Sequence, residues 1–330
     1  MPSIRMLRRG LACALPFFLP GCVFITGNLN PFSAAPQPLE EHVVSGKGKA
    51  KILVIDISRA ISDEEEEAPF GLARRESVTA RVQQELEQAA SDDHVRAVVL
   101  RINTPGGTVT ASDTVFHTIM AFKADHHVPV VAQFLDMGTS GAYYVALAAD
   151  EIVASPTTVT GSIGVVMYGV NLTGLMGKIG IKNQTIKSGA EKDIGSPLRP
   201  MTPEDTRILQ AILDNLHSRF LTVVRERRPG LSEETLKLVS DGRPLTADQA
   251  LQLGLVDRLG YLQETLQATQ QRAGLTEAQV VMYRRPEEFA ENIYSRAPLG
   301  PAQFSLLNLN VAGIPFTAPQ FLYMWLPSSE

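Results

Sequence analysis

Val95-Arg-Ala-Val-Val-Leu-Arg-Ile-Asn-Thr-Pro-Gly-Gly-Thr108 is the stretch that decides the architecture. Its first eight residues form a mostly apolar run, the pattern of a strand buried on both faces. Pro105, Gly106 and Gly107 end that strand, and Ala111–Ala124 carries apolar residues at helical spacing. Strand, glycine loop and helix make one βα unit, and the unit recurs on either side of it. Upstream, Lys51–Ile57 reads as a buried strand and Ser77–Ala90 as a helix with Val78, Val82, Leu86 and Ala89 on one face. Downstream, Val128–Leu135 is a strand and Gly141–Ala149 a helix. Short β-rich pieces are expected at Glu151–Ala154, Gly164–Gly169 and Asn183–Lys187, with a helix over Leu172–Ile179 among them. Helices Pro203–Arg227, Ser232–Val239, Thr246–Leu253 and Leu262–Ala273 follow, and Gln279–Tyr283 is a late strand. Thr202 before Pro203, with Glu204 and Asp205 in the first turn, marks a helix start. Alternating β and α elements joined by short loops imply an α/β fold with a largely parallel sheet and flanking helices.

The 330 residues carry 30 Lys and Arg against 35 Asp and Glu, a net charge of −5. A nucleic-acid binder normally shows a basic surplus, so no nucleic-acid partner is expected. The two cysteines, Cys13 and Cys22, both precede the body, which therefore offers neither a disulfide framework nor a cysteine metal site. Arg5, Arg8 and Arg9 stand before the apolar run Leu11–Pro20, the pattern of a secretory signal. Pro16 and Pro20 interrupt that run, which is short for a membrane span. Leu19-Pro-Gly-Cys22 resembles a bacterial lipobox, making Cys22 the candidate lipidated residue. A plain cleaved signal and an uncleaved anchor are the alternatives. The expected organisation is a signal at 1–22, a flexible tether at 23–48 rich in Pro, Asn, Ser and Ala, a core at 49–275 and a C-terminal extension at 276–330. The aromatic end of that extension, Phe321-Leu-Tyr-Met-Trp-Leu326, reads as a segment that packs on a surface or a neighbour.

There is no P-loop, no His-Glu-x-x-His and no dinucleotide fingerprint after a strand. Neither metal nor cofactor is expected. The six histidines are scattered; most read as surface or satisfied residues, and a Ser-His-Asp triad stays open although no histidine sits in a recognisable loop context. Three glycine-bearing loops carry the candidate chemistry. Asn103–Thr108 could aim backbone N–H groups at a ligand oxygen, or simply make a tight strand-to-helix turn. Asp136–Tyr144 places Ser140 at a strand-to-helix junction among small residues. Its hydroxyl is either exposed there or caps the helix, and from this loop alone the cap is the favoured reading. Lys187–Pro197 offers Lys192, with Lys187 as its rival, as a base for a serine that has no histidine. Glu191 and Asp193 beside Lys192 would oppose that role unless they face away.

Together the three loops resemble the signal peptide peptidase A family, Ser–Lys proteases with a crotonase/ClpP-like fold, over roughly residues 50 to 270. The resemblance implies an oxyanion N–H on Gly107 from Arg101–Thr108, with Gly141 as the second donor. It implies the nucleophile on Ser140 from Gly138–Tyr144 and the general base on Lys192 from Ser188–Asp193. From Thr160–Gly164 it implies a lysine-orienting role for Ser162. Glu191 stands where the family often has an aromatic residue. The implied protein is a membrane-associated endopeptidase of the bacterial envelope, facing the extracytoplasmic side. Its substrates would be cleaved signal peptides and other unfolded apolar peptides. One copy of each motif, where double-length relatives have two, implies a ring-shaped homo-oligomer sharing its sites between subunits. The alternatives are a non-catalytic membrane-anchored scaffold on the same fold and a crotonase-type acyl-CoA enzyme.

Overall fold

The computed structural model describes residues 37–67, 74–286, 288, 291–295, 310–311, 314–315 and 320–325. Cys22 and the signal read at 1–22 lie outside them. In chain order the strands and helices begin with β1 (Glu40–Gly46), β2 (Lys51–Ile57), the two-residue strands β3 (Glu66–Glu67) and β4 (Arg74–Arg75), α1 (Val78–Ala90), β5 (Val95–Thr104) and β6 (Gly106–Thr108). Next come α2 (Val109–His126), β7 (Val130–Thr139), α3 (Gly141–Ala146), β8 (Glu151–Ala154), β9 (Val159–Gly161), α4 (Thr173–Lys178), α5 (Pro203–Arg227) and α6 (Glu233–Val239). The rest are β10 (Pro244–Thr246), α7 (Ala247–Gln252), β11 (Arg258–Leu259), α8 (Leu262–Arg272), β12 (Gln279–Arg284), β13 (Asn310–Val311), β14 (Ile314–Pro315) and β15 (Leu322–Met324).

The main sheet runs β1-β12-β2-β5-β7-β8-β11. Every pairing from β12 to β11 is parallel, and β1 is added antiparallel at the edge. Alternation along β2 explains the layering. Leu53, Ile55 and Ile57 join the core formed with α1, α2 and α3, while Ile52 and Val54 face Leu262 and Leu266 of α8. The expected α/β sheet with helices on both faces is therefore present.

Three expectations need correction. The last part of the stretch read as a tether is a strand, β1, held by β12. Gly164–Gly169 forms no strand and contributes a single bridge, Val166 to Leu322. Asn183–Lys187 is irregular, and Ile186 on it is 99% exposed, so no second layer exists there for a strand to pack against.

Two features carry the fold into the site. β7 forks: Val131–Phe134 pair with β8, and Met137–Thr139 pair with β9. The split opens the sheet just before Ser140. On the other side, Arg101 is fully buried in β5. It pairs with Asp56 at 3.0 Å and donates to the Ser295 carbonyl at 2.6 Å and to that of Ile293, pinning the chain that leaves β12. A buried cation is tolerable only when paired in this way.

Candidate active site

Ser140 sits at the end of β7, where its N–H donates to the Gly161 carbonyl at 2.7 Å. Its backbone is held at φ 54 and ψ −113, a conformation costly for a residue with a Cβ. It stands at the N-cap of α3, yet its side chain makes no capping hydrogen bond. The cap favoured from the loop alone is thus corrected: the fold imposes strain and leaves the hydroxyl unused. Ser140 is 1% exposed and lines a cleft of about 450 Å³ together with Ser162, Val166, His217, Asp241 and Trp325.

The Gly106-Gly107 loop meets Ser140 from β5. Ile61 clamps the loop, accepting from the Thr108 N–H and donating to the Gly106 carbonyl, both at 2.9 Å. Gly106 has φ +108, and a Cβ there would lie 2.8 Å from the Gly141 nitrogen. A Cβ on Gly141 would lie 2.5 Å from Ser112 Oγ and 3.1 Å from the Gly107 nitrogen. The two loops therefore touch backbone to backbone, which only glycine permits. Gly107 and Gly141 come together beside Ser140.

Ser162 follows β9 with φ 51, its N–H donating to the Arg243 carbonyl at 2.8 Å. It too faces the cleft. Lys192 does not line it. That lysine lies exposed on an arm, residues 169–201, containing α4. Within the arm Lys187 Nζ binds Asp193 at 2.8 Å and the Ala190 carbonyl at 2.6 Å. Arg199 binds Asp193 at 2.9 Å and grips Asp205, at 3.0 Å through Nη2. A hydrogen bond to Asp205 pushes the Glu191 carboxyl up. Both acids flanking Lys192 are thus engaged elsewhere, and its ammonium takes no part in the network.

Sequence reasoning missed two contributors. His217, read as surface or satisfied, has a buried Nε2 without a hydrogen-bond partner in the cleft wall. Its environment depends on α5 crossing above the cleft, which residue spacing does not report. The second is β15, which pairs antiparallel with β6. Tyr143 and Tyr144 are no candidates for a base. Burial drives both phenols well above their usual range, and the Asp113 carboxylate bound to the Tyr144 hydroxyl adds to its shift.

A sequence model of peptidase family S49 matches residues 122–276, and one of the Clp proteases matches residues 61–157. A relative from Enterococcus faecium, named for the signal peptide peptidase SppA, is 31% identical over 260 residues, 79% of this chain and 74% of that one. Protease 4 of Salmonella typhi is 32% identical over 202 residues, 61% of this chain and 32% of that one. The chloroplastic serine protease SPPA of Arabidopsis thaliana is 28% identical over 229 residues, 69% of this chain and 33% of that one. The chain thus spans about a third of the last two relatives. With a forked, mostly parallel sheet that presents Ser140 between two glycine loops, and with this relatedness over most of its length, the chain belongs to the signal peptide peptidase A family, peptidase family S49, and is a serine protease on a ClpP/crotonase-like α/β fold.

Proposed function

We propose that the chain is a Ser–Lys endopeptidase of the bacterial envelope that degrades cleaved signal peptides and other unfolded apolar peptides. Ser140 is the nucleophile, and Lys192 from a neighbouring copy is the base. The observation that carries this reading is Ser140, held on a strained backbone, its hydroxyl unused as a cap, lining the cleft while Gly107 and Gly141 meet backbone to backbone beside it. Ser140 Oγ attacks the peptide carbonyl while its proton passes to neutral lysine Nζ. The C–N bond then breaks and the lysine returns the proton to the leaving amine. Water attacks the acyl-enzyme by the same path in reverse order, releasing the acid and restoring Ser140. The N–H groups of Gly107 and Gly141 hold the oxyanion, each contributing about 3 kcal/mol, and Ser162 orients the lysine.

The arm supports the neighbour's part in the site. Lys192 is outside its own cleft, while Leu175, Ile179, Ile181 and Ile186 on the same arm are each more than half exposed. Exposed apolar surface of that kind favours burial against a second copy. Repeated head to tail, the contact closes a ring. Among the described residues no helix is long and apolar enough to cross a membrane. The proposed membrane attachment is through Cys22, on the lipobox resemblance of Leu19-Pro-Gly-Cys22, and labelled fatty acid should enter the wild type and not Cys22→Ser.

The test is peptide hydrolysis. Ser140→Ala and Lys192→Ala should each abolish it with the fold intact, while Lys187→Ala, which loses the Asp193 pair and the bond to the Ala190 carbonyl, should retain most of it. Activity should rise toward alkaline pH, because the base works unprotonated. A second reading, a Ser–His site, is favoured by the unpartnered His217 Nε2. It would replace the first if His217→Asn were dead and Lys192→Ala active.

A further inference from the structure

We infer that the strand Phe321–Trp325 is an internal occupant of the peptide-binding cleft, seated in the register of a substrate, with the Tyr323 carbonyl where a scissile carbonyl is held. The inference rests on the reading of Ser140, Gly107 and Gly141 just given, and it concerns how that site is regulated.

The register is fixed by the hydrogen bonds at the two ends of the ladder. Trp325 N–H donates to the Pro105 carbonyl at 3.0 Å, and Val109 N–H donates to that of Phe321 at 3.2 Å. Tyr323 is paired with Gly107 midway between them. In an antiparallel ladder hydrogen-bonded pairs recur at every second residue. Gly107 and Tyr323 are therefore such a pair, and the N–H assigned to the oxyanion faces the Tyr323 carbonyl. The same oxygen lies against the other glycine loop as well. A Cβ would come within 2.0 Å of it from Gly106 and within 2.9 Å from Gly141. The carbonyl of residue 323 thus sits between the two loops that supply the proposed donors.

The opposite edge of the strand is also paired. Leu322 N–H donates to the Val166 carbonyl at 2.9 Å and its own carbonyl accepts from Val166 N–H at 3.0 Å. A strand paired along both edges is how an extended peptide is gripped through its main chain, with alternate side chains filling pockets. Tyr323 is fully buried. Its ring stacks on Tyr144 at 5.3 Å and meets Phe220 at 4.7 Å, and its hydroxyl donates to the Leu216 carbonyl at 2.8 Å. Leu322 and Met324 point the other way and pack with Ala60, Val166 and Tyr168. Met324 and Trp325 continue into the cleft beside Ser140.

The consequence is competition. A substrate carbonyl cannot accept from Gly107 N–H while Tyr323 does, so catalysis requires the strand to leave. The aromatic pocket it vacates favours substrates with an apolar or aromatic residue on the acyl side of the cleaved bond. A tethered ligand acts at an effective concentration of about 1 mM. Release should improve apparent affinity by roughly the ratio of that concentration to the free pentapeptide's dissociation constant, about tenfold if that constant is about 0.1 mM.

The test uses full-length protein. In a Ser140→Ala background, binding of fluorescein-labelled Phe-Leu-Tyr-Met-Trp is followed by polarisation, with and without Tyr323→Pro. The substitution removes the ring and the N–H of residue 323 while deleting nothing. The expected result is binding about tenfold tighter in the Tyr323→Pro chain. In the Ser140 enzyme the same substitution should lower the apparent KM for a fluorogenic peptide by a similar factor. Met324→Asp, which charges a buried side chain of the strand and leaves its hydrogen bonds in place, should move both readouts in the same direction. Equal binding with and without the substitutions overturns the proposal. Loss of the fold in both variants overturns it as well, because a strand the fold requires is not a displaceable occupant. The polarisation measurement needs no turnover, so a chain that binds the pentapeptide but cleaves nothing refutes the peptidase reading and leaves the occupant standing.

Discussion

At the scale of single residues, backbone packing decides what the site can do. Gly141 touches Ser112, Tyr323 and Gly107 through the space a Cβ would fill. Gly141→Ala should therefore push the two glycine loops apart and misplace a proposed oxyanion donor. A loss of about 100-fold in kcat is expected, the scale of one oxyanion donor, with far-UV circular dichroism unchanged. Wild-type rates in that variant would remove Gly141 from the site. Much of this was legible in the sequence. Small residues around Ser140 and paired glycines after β5 mark close backbone approach, whatever the fold around them. What the sequence hid was the positive φ of Ser140 and of Ser162. Both values come from how β7 and β9 end against their neighbours, and serine carries no signature for such a turn. His217 was equally hidden, since an unpartnered nitrogen is a property of its surroundings.

Among the elements, the arm at 169–201 shows where pattern reading misleads. Ile186 falls in a stretch whose sequence reads as a strand and Ile179 ends one that reads as a helix, yet both are exposed. Hydrophobic spacing records that a side chain is to be buried, and it is silent about whether its own chain or another does the burying. Helix α5 behaves in the opposite way. Its start was readable to the residue because Thr202 and Asp205 form a local capping box with Pro203 at the first helical position. The arm is fastened to that cap by charge. Arg199 holds the Asp205 carboxyl well below the usual carboxylate range, and Lys187, followed by Arg199, lowers that of Asp193. A carboxylate depressed in the folded state contributes stability above its unfolded pKa, and that contribution is lost as pH falls through the folded value. The arm should accordingly be protected from proteolysis at neutral pH and be cut progressively faster in acid below pH of about 4. Arg199→Ala should show the fast cleavage at neutral pH. An arm equally resistant at both pH values would show that these pairs do not fasten it.

For the molecule as a whole, the parallel sheet and its flanking helices followed from the βα alternation alone, because each unit must bury two faces. The proposed assembly is not written in periodicity. The case for it is an exposed lysine on the arm, outside the cleft that holds Ser140. If neighbours share the site, Ser140→Ala and Lys192→Ala chains should complement each other. Unfolded together and refolded, they should recover about a quarter of wild-type activity, the fraction of contacts in a randomly mixed ring that join both intact side chains. Mixed rings with no activity would place the pair within one chain.

Strand β15 pairs with β6 across most of the length of the sequence. A ribosome delivers the chain in order, so Ile61, Gly107, Ser140, Ser162 and Gly242 all exist before Phe321 does. The forked sheet can form while residues 321–325 are still being added, and such long-range pairing is slow to close. Each new molecule therefore passes through an early interval in which the groove beside Ser140 has two free edges. Such edges invite any extended chain nearby to pair with them. Pairing of Phe321–Trp325 with β6 brings that interval to an end.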